Sequence, residues 1–245
     1  MGAATVKLSE EHTRSYIDDI RWVELLKFLT WKGDAAPTWT GQYMPATRSD
    51  DADLVSLARF NRCHYLYYRA LIEDHVERRG CVMDLGCGTG QRTNMLTRYA
   101  EKVIGVDVEP LKVAAAQFLN GGGGTITYIF GNIMEAGVNE FGPFDYVFCV
   151  DVVEHIALDS QVAFVRRAME GLVPGGKLLL TTPRDKKIER KHPHIGLWDA
   201  EMADNMAKQF GAPLSYYNVK QLDEGGEDPR SPLETATHYV MVVTK

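Results

Sequence analysis

The chain has 245 residues, 45% of them hydrophobic, which suits one soluble α/β domain with additions. No apolar run approaches the ~20 residues that span a bilayer, and the N-terminus lacks a long apolar core, so we expect neither a membrane segment nor a signal peptide. The net charge of −6 argues against a nucleic-acid-binding face, and four cysteines without a C-x-x-C pair favour a reducing, cytoplasmic setting.

The N-terminal part is predicted to be helical. Apolar residues recur at helical spacing before residue 35 and again from Leu54 to Arg78, with a proline-containing loop between the two stretches. We predict a helical extension over 1–75 and a core over 76–245, in a single domain overall. Aromatic side chains of the extension are expected mainly to pack against the core.

The first strand is predicted at Cys81–Leu85, and it runs into a glycine-rich turn and a helix that starts at Gln91. Such a turn exposes backbone N–H groups to a ligand. A dinucleotide fingerprint, G-x-G-x-x-G, would place its last glycine at position 91, where Gln91 stands. Asp84 precedes the turn instead, and a carboxylate there suits an ammonium group better than a pyrophosphate. The turn contains Gly86, Cys87, Gly88 and Gly90.

The second strand, Lys102–Asp107, ends in an acid 23 residues after Asp84. In a doubly wound sheet, an acid at this point accepts hydrogen bonds from the ribose hydroxyls of a nucleoside. An adenosine with an amino-acid tail is S-adenosylmethionine. Further elements are predicted as helices at 111–119, 159–172 and 198–210 and as strands at 126–130, 144–150, 177–182, 214–222 and 238–244.

The motifs together resemble those of the class I S-adenosylmethionine-dependent methyltransferases, over roughly residues 60–185. Four segments carry the resemblance in order: 82–90, 102–107, 144–156 and 172–183. It implies an α/β, Rossmann-like, seven-stranded sheet that is mostly parallel, with a C-terminal antiparallel hairpin. Helices would flank this sheet, and the N-terminal extension would form a helical cap over the substrate cleft.

The resemblance also implies a set of cofactor-binding residues. Asp84 would hold the ammonium group, Asp107 the ribose hydroxyls and Asn132 the adenine amino group, although many relatives carry an acid in place of Asn132. The glycines would bring the backbone close to the methionine moiety, where a side chain at 86 or 88 would collide with the ligand. The full set is Arg62, Asp84, Gly86, Cys87, Gly88, Gly90, Asp107, Val108, Asn132, Ile133 and Val150.

The acceptor side is predicted after the fourth strand. The Glu154-His155 pair is typical of methyltransferases that modify small hydroxylated molecules. His155 is the first candidate for the base that takes the acceptor's proton, because imidazole titrates near working pH. Asp151 is the second candidate. The alternative roles are structural: His155 would fix the loop and Asp151 would cap the turn.

A basic loop, 184–194, follows the fifth strand and lies where open α/β sheets bind their ligands. Its five basic residues suggest an anionic acceptor, but an ordinary exposed loop is an equally good interpretation. His194, at the end of this loop, is the third catalytic candidate, as a residue that contacts the substrate. The sequence offers no obvious ligand cluster, so we expect no metal. Thr182-Pro183 replaces the Asp-Asn pair of catechol-type enzymes, so magnesium is not expected.

The predicted function is methyl transfer from S-adenosylmethionine to an oxygen of a small molecule, such as a sugar or a phenol, with S-adenosylhomocysteine as product. One alternative is N-methylation of an amino sugar or amine. A second, of another class, is a cofactor-binding partner subunit without its own catalysis. A dehydrogenase is disfavoured by Gln91. No nucleic-acid or membrane partner is expected, and the oligomeric state is open, with a homodimer as one option.

Overall fold

The computed structural model describes residues 65–120, 124–134, 141–184 and 194–245. The chain divides into two compact units, 1–65 and 66–245. The predicted helices before residue 65 lie outside the described residues, so the cap and its boundary at residue 75 stay predictions. No helix within the described ranges is long and apolar enough to cross a bilayer.

Helices and strands alternate along most of the described chain. In order, they are helix α1 (65–75), β1 (Cys81–Leu85), α2 (Gln91–Leu96), β2 (Lys102–Asp107), α3 (Pro110–Asn120), β3 (Ile126–Phe130), β4 (Phe144–Val150), a 3-10 helix (Val153–His155), α4 (Leu158–Glu170), β5 (Leu172–Pro183), α5 (Ala200–Phe210), β6 (Leu214–Tyr217), α6 (Val219–Asp223), a second 3-10 helix (Leu233–Thr235) and β7 (His238–Thr244).

The strands form one seven-stranded sheet in the order β3-β2-β1-β4-β5-β7-β6. Neighbours among β1 to β5 are parallel, whereas β7 is antiparallel to both β5 and β6. The predicted seven-stranded, mostly parallel sheet with a C-terminal antiparallel pair is thus confirmed. The chain order reverses between β1 and β4, and ligands of open α/β sheets bind at this switch point, outside the carboxyl ends of the strands.

Helices cover the sheet and close its core. The central strands are buried along nearly their whole length, as expected where a parallel sheet has both faces covered. Helix α4 presents Phe164 and Val165 to this core, and Trp198 joins it just before α5. The largest fully buried apolar side chains of the sheet are Phe144, Phe148, Met83, Leu178 and Leu179.

Strand β5 begins five residues earlier than the sequence predicts. The helix before it ends at Glu170, and the Pro-Gly-Gly stretch lies inside the strand as a bulge, where the register shifts from Phe144–Leu172 to Tyr146–Lys177. The end of the chain pairs with this bulge: the Gly175 N–H donates to the Lys245 carbonyl at 2.7 Å. These hydrogen bonds hold the glycine-rich segment in the strand, although its local propensity favours a turn.

The predicted strand over 214–222 ends at Tyr217 instead. The side chain of Asn218 accepts a hydrogen bond from the Gln221 N–H at 3.3 Å and caps the short helix α6. An asparagine cap therefore overrides the apolar alternation here. The same device starts α5, where the Asp199 side chain accepts from the Met202 N–H at 2.8 Å.

Candidate functional site

Carboxylates end three neighbouring strands at one edge of the sheet. Asp84 lies near the end of β1, Asp107 ends β2 and Asp151 follows β4. Strands β1, β2 and β4 are adjacent and parallel. The structure therefore gathers all three predicted acids at the edge where ligands of this sheet type bind.

The glycine turn after β1 is shaped by the missing side chains of two glycines. Both have left-handed backbone, with φ of 72° at Gly86 and 54° at Gly88. A Cβ at Gly86 would lie 2.4 Å from a methyl group of Val152, whereas a Cβ at Gly88 would meet nothing within 4 Å. Gly88 thus faces open space, and the clash of a side chain there with a ligand stays a prediction. Gly86 instead lets the loop after β4 approach the turn.

Asp84 is a buried carboxylate in which one oxygen has no hydrogen-bond partner among the described residues. Its Oδ2 accepts a hydrogen bond from the Thr93 hydroxyl at 2.6 Å, while Oδ1 has no partner among the described residues. Burial raises the pKa of Asp84 to about 6, although the Thr93 hydrogen bond opposes the shift. A cationic group near Oδ1 would satisfy this oxygen and favour its charged form.

Asp107 orders the turn and retains acceptor capacity. Its Oδ2 accepts from the Gly88 N–H at 2.8 Å, and its Oδ1 accepts from the Glu109 N–H at 2.9 Å. Each carboxylate oxygen has a second lone pair, so the pair of hydroxyls on a ribose can still donate to it. The next side chain, Val108, is apolar and 59% exposed, which leaves an uncovered apolar surface beside this acid.

The other predicted cofactor residues of the described ranges lie around this edge. Asn132 already accepts a hydrogen bond from the Met134 N–H at 3.0 Å through Oδ1, so contact with an adenine amino group would use that oxygen's second lone pair. Ile133 and Val150 are buried. Cys87 is buried too, and burial raises the pKa of its thiol, so the cysteine is not a reactive thiolate.

Asp151 has an unusual backbone for a non-glycine residue, with φ of 55°. Its Oδ1 accepts from the Thr181 hydroxyl at 3.0 Å, and its N–H donates to the Thr181 carbonyl at 3.2 Å. A strained conformation at the end of a strand is typical of residues held for function. The structure therefore ties this acid to β5 in addition to the turn-capping role considered for it.

The residues that support Asp151 were not identified from the sequence. His238 Nε2 lies 3.8 Å from Asp151 Oδ1, and the His238 ring centroid lies 5.4 Å from that of Tyr67. Burial lowers the pKa of His238, although Asp151 opposes this shift. His238 is 87 positions from Asp151 in the chain, and only the antiparallel pairing of β7 with β5 brings the two together.

The other two predicted catalytic residues form a cluster with Glu154. The ring centroids of His155 and His194 are 4.9 Å apart, and one ligand-type atom from each of Glu154, His155 and His194 lies within 4.8 Å of the others. His155 is exposed and His194 half-buried, but Glu154 is 1% exposed. Burial and, secondly, Asp151 raise the pKa of Glu154. The sequence suggested no such ligand group.

Two of the predicted features lie wholly or largely outside the described residues, namely Arg62 and the basic loop over 184–194, of which only Arg184 and His194 are described. Arg184, at the start of that loop, has a structural role. Its Nη1 donates to the carbonyls of Leu233 and Ala236, and its guanidinium lies 5.1 Å from the centroid of the Tyr239 ring. Arg184 is thus held by contacts within the fold, and its part in substrate binding stays a prediction.

The β1–β2 side of the edge fits the S-adenosylmethionine that the sequence suggests. An unpartnered oxygen of buried Asp84 suits the ammonium group, and the open space at Gly88 suits close contact with the backbone. The two oxygens of Asp107 suit the ribose hydroxyls. When bound, this cofactor supplies an activated methyl group.

Comparisons with known proteins agree with this geometry. Residues 83–180 match the model of a family described as a methyltransferase domain. A ubiquinone biosynthesis O-methyltransferase of Xanthomonas axonopodis pv. citri (strain 306) is 32% identical over 103 residues, 41% of this chain and 42% of that protein. Its counterpart in Methylobacterium nodulans (strain LMG 21967 / CNCM I-2342 / ORS 2060) is 31% identical over 135 residues, 51% of this chain and 53% of that protein. The chain spans about half the length of the curated relatives it matches.

Solved structures show the same fold. An S-adenosylmethionine-dependent methyltransferase from Clostridium acetobutylicum ATCC 824 aligns with a TM-score of 0.60 and 13% identity, over 74% of this chain and 91% of that one. Magnesium protoporphyrin IX methyltransferase from Synechocystis PCC 6803, solved with bound S-adenosylhomocysteine, aligns with a TM-score of 0.57 and 15% identity, over 93% and 99% of the two chains. Residues 83–180 therefore match a methyltransferase domain, and the chain shares the fold of solved S-adenosylmethionine-dependent methyltransferases, as the sequence motifs predicted.

Proposed function

We propose that this chain transfers a methyl group from S-adenosylmethionine to an oxygen of a small molecule. The observation that carries the proposal is the group of proton-accepting side chains after β4, beside the glycine turn. Val152 packs at Gly86, so the segment with Asp151 and His155 adjoins the turn that would hold the cofactor. The relatives are ubiquinone biosynthesis O-methyltransferases, and this supports oxygen as the acceptor atom.

The protein's part in such a reaction is to align the acceptor and accept its proton. Alignment of two reactants supplies much of the barrier reduction, and a positioned base adds typically 10²–10⁴-fold. His155 is exposed and able to meet a substrate, whereas Asp151 is fixed by Thr181. The proton of an acceptor hydroxyl would pass to one of these two groups as the oxygen accepts the methyl group.

N-methylation of an amine is the second candidate. An amine that reacts as the free base needs less help from a base than a hydroxyl does, so an acid–base cluster beside the turn favours oxygen. A cofactor-binding subunit without catalysis is the third candidate. A subunit without catalysis would not need a strained backbone at Asp151 or a buried Glu154 next to an exposed histidine.

The test is methyl transfer from deuterated-methyl S-adenosylmethionine to a panel of phenols, sugars and their amino analogues, with products identified by mass spectrometry. We expect a product labelled on oxygen. A product labelled only on nitrogen would establish the second candidate. S-adenosylhomocysteine binding with no turnover of any panel member by the wild type would favour the subunit without catalysis.

A further inference from the structure

We propose that Glu154, His155 and His194 bind a divalent transition-metal ion. The proposal departs from the expectation that the chain has no metal site. It stands on three features: the donor types, the burial of the carboxylate and a rigid support beneath the cluster.

The donor set is one carboxylate oxygen and two imidazole nitrogens, all within 4.8 Å of one another. Bonds of ~2.0–2.2 Å place the ligands of one ion roughly 3–4 Å apart, so the three side chains would close by no more than roughly 1–2 Å. The side chain of His155 is exposed, so a change of its rotamer can make this adjustment. Imidazole with carboxylate suits Zn²⁺, Mn²⁺ or Fe²⁺ better than Mg²⁺, which prefers oxygen ligands throughout.

Glu154 is a buried acid on which few groups are seen to act. The Thr182 hydroxyl donates a hydrogen bond to its carboxylate at 3.3 Å, and the charge of Arg92 acts on it more weakly. A buried carboxylate is usually paired or coordinates a metal. The two histidines beside it are neutral donors when unprotonated, so a dication bound there would add the positive charge that favours the ionised carboxylate.

A buried glutamine holds the two halves of the cluster together. Gln161 is fully buried on α4, and its Nε2 donates to the carbonyls of Val153, Ile156 and Gly196 at 2.7–3.0 Å. Its Oε1 accepts from the Trp198 indole N–H at 2.6 Å. One amide thus joins the segment with Glu154 and His155 to the segment that follows His194.

Gly196 completes this support. Its N–H donates to the Glu154 carbonyl at 3.0 Å, and a Cβ at this position would lie 2.0 Å from the Ile156 carbonyl oxygen. The close approach therefore requires a glycine. Hydrogen bonds around the ligands of a metal ion hold those ligands in position.

The ion would act on the acceptor. Three protein ligands leave at least one open position, as in catalytic rather than structural metal sites. An acceptor hydroxyl bound there would lose its proton more easily, because a metal ion lowers the pKa of an oxygen that it binds. An imidazole that binds the metal cannot also accept the proton of the acceptor, so metal binding by His155 would leave Asp151 as the base. This role rests on the proposed methyl transfer, but metal binding itself does not.

The experiment is calorimetric titration of Zn²⁺ and, separately, Mn²⁺ into the tag-free full chain after chelator treatment, with no cofactor present. We expect one ion per chain and a micromolar or lower Kd for at least one metal. Loss of a residue that hydrogen-bonds to a metal ligand weakens metal affinity by up to ~100-fold, and loss of a ligand itself should weaken it at least as much. Glu154→Gln and His194→Ala should therefore each raise the Kd of the metal about 100-fold or more. Thr182→Val, which removes the hydrogen bond to Glu154, should raise it about 10-fold.

The matched control is His75→Ala, at the end of α1, which removes a half-buried imidazole outside the cluster and should leave Kd unchanged. Thermal unfolding checks folding: the metal should raise the Tm of the wild type and of His75→Ala but not of Glu154→Gln. Absence of binding, or equal Kd in the wild type and the ligand variants, would overturn the site. A parallel titration with S-adenosylhomocysteine separates the two proposals, since binding of that compound without metal binding leaves the methyltransferase proposal standing alone.

Discussion

The two sides of the site are built in different ways. On the β1–β2 side, a short stretch of chain forms most of the surface: the glycine turn, Asp84 and the acid 23 residues later. On the β4–β5 side, the proposed functions depend on side chains that lie 40 positions apart, Glu154 and His194, or 87 apart, Asp151 and His238. The first side is thus set by local sequence, and the second by tertiary structure. If this division is real, the two sides should respond to different substitutions.

The largest expected effect separates the two sides directly. His155→Ala should lower turnover by ~10²–10⁴-fold, whether the imidazole acts as base or as metal ligand, because either role acts on the acceptor. The affinity for S-adenosylhomocysteine should stay within about twofold. Steady-state kinetics and calorimetry measure the two quantities. A turnover loss below about fivefold would show that His155 only fixes the loop.

A glycine pair tests how the sides meet. Gly86→Ala places a methyl group 2.4 Å from Val152 at a φ of 72°, so the free energy of unfolding should fall by about 2–5 kcal/mol. Gly88→Ala has the same backbone strain but no clash, and should lose about 1–2 kcal/mol. Urea unfolding measures both. Equal losses would mean that Val152 moves aside easily and that the two sides are not closely packed there.

Substitution of Asp107 tests the β1–β2 side by itself. Asp107→Ala removes the acceptors proposed for the ribose, so the binding free energy of S-adenosylhomocysteine should weaken by about 1.5–3 kcal/mol. Turnover at saturating cofactor should change less. Because Asp107 also accepts from the Gly88 and Glu109 N–H groups, Asp107→Asn, which keeps one acceptor oxygen, serves as the matched control. An unchanged affinity in a folded Asp107→Ala variant would exclude the ribose contact.

The pH dependence of binding should be set by Asp84. Its pKa in the free protein is raised to about 6, so it becomes neutral as pH falls through 6 and can no longer attract an ammonium group. The Kd of S-adenosylhomocysteine should rise about tenfold per pH unit below 6 and stay nearly flat from 6.5 to 7. The same shift means that this carboxyl stabilises the free protein below pH ~4 and that the contribution is lost as pH rises through 6. Asp84→Asn should remove the pH slope of binding, and a slope that persists in this variant would assign it to another group.

The smallest expected effect concerns the basic loop over 184–194. If its charges bind an anionic acceptor, Arg190→Ala with Lys191→Ala should raise the KM of that acceptor roughly two- to fivefold, with little change in turnover. The KM of the wild type should also rise with salt, whereas the Kd of the cofactor should not. An acceptor KM insensitive to salt and to both substitutions would make these residues an ordinary exposed loop.

The sequence predicted the sheet well and located the two acids of the β1–β2 side at their strand ends, because both depend on local patterns. The β-branched and apolar strands, the acid before the glycine turn and the acid that ends β2 all lie where the sequence predicted them. The misassigned segments have local causes that tertiary contacts override. Gly175 pairs with Lys245 inside β5, and Asn218 caps a helix where alternation suggested strand.

The acceptor side was predicted as separate residues rather than as a group. Asp151, His155 and His194 could be named from their positions after the strands, but Glu154 was read only as part of a motif. The two segments that bring it near the histidines are joined by Gln161, a buried polar residue on an amphipathic helix. A glutamine among the apolar residues of α4 is the one signal in the sequence that could have pointed to this support.

The most direct test of the division is one set of calorimetric titrations with S-adenosylhomocysteine and with NAD. The wild type and His155→Ala should bind S-adenosylhomocysteine with similar micromolar Kd, roughly −8 kcal/mol, and Asp107→Ala should bind it about 10–150-fold more weakly. None of the three should bind NAD comparably. Tighter binding of NAD, or equal losses of S-adenosylhomocysteine affinity in His155→Ala and Asp107→Ala, would contradict the account.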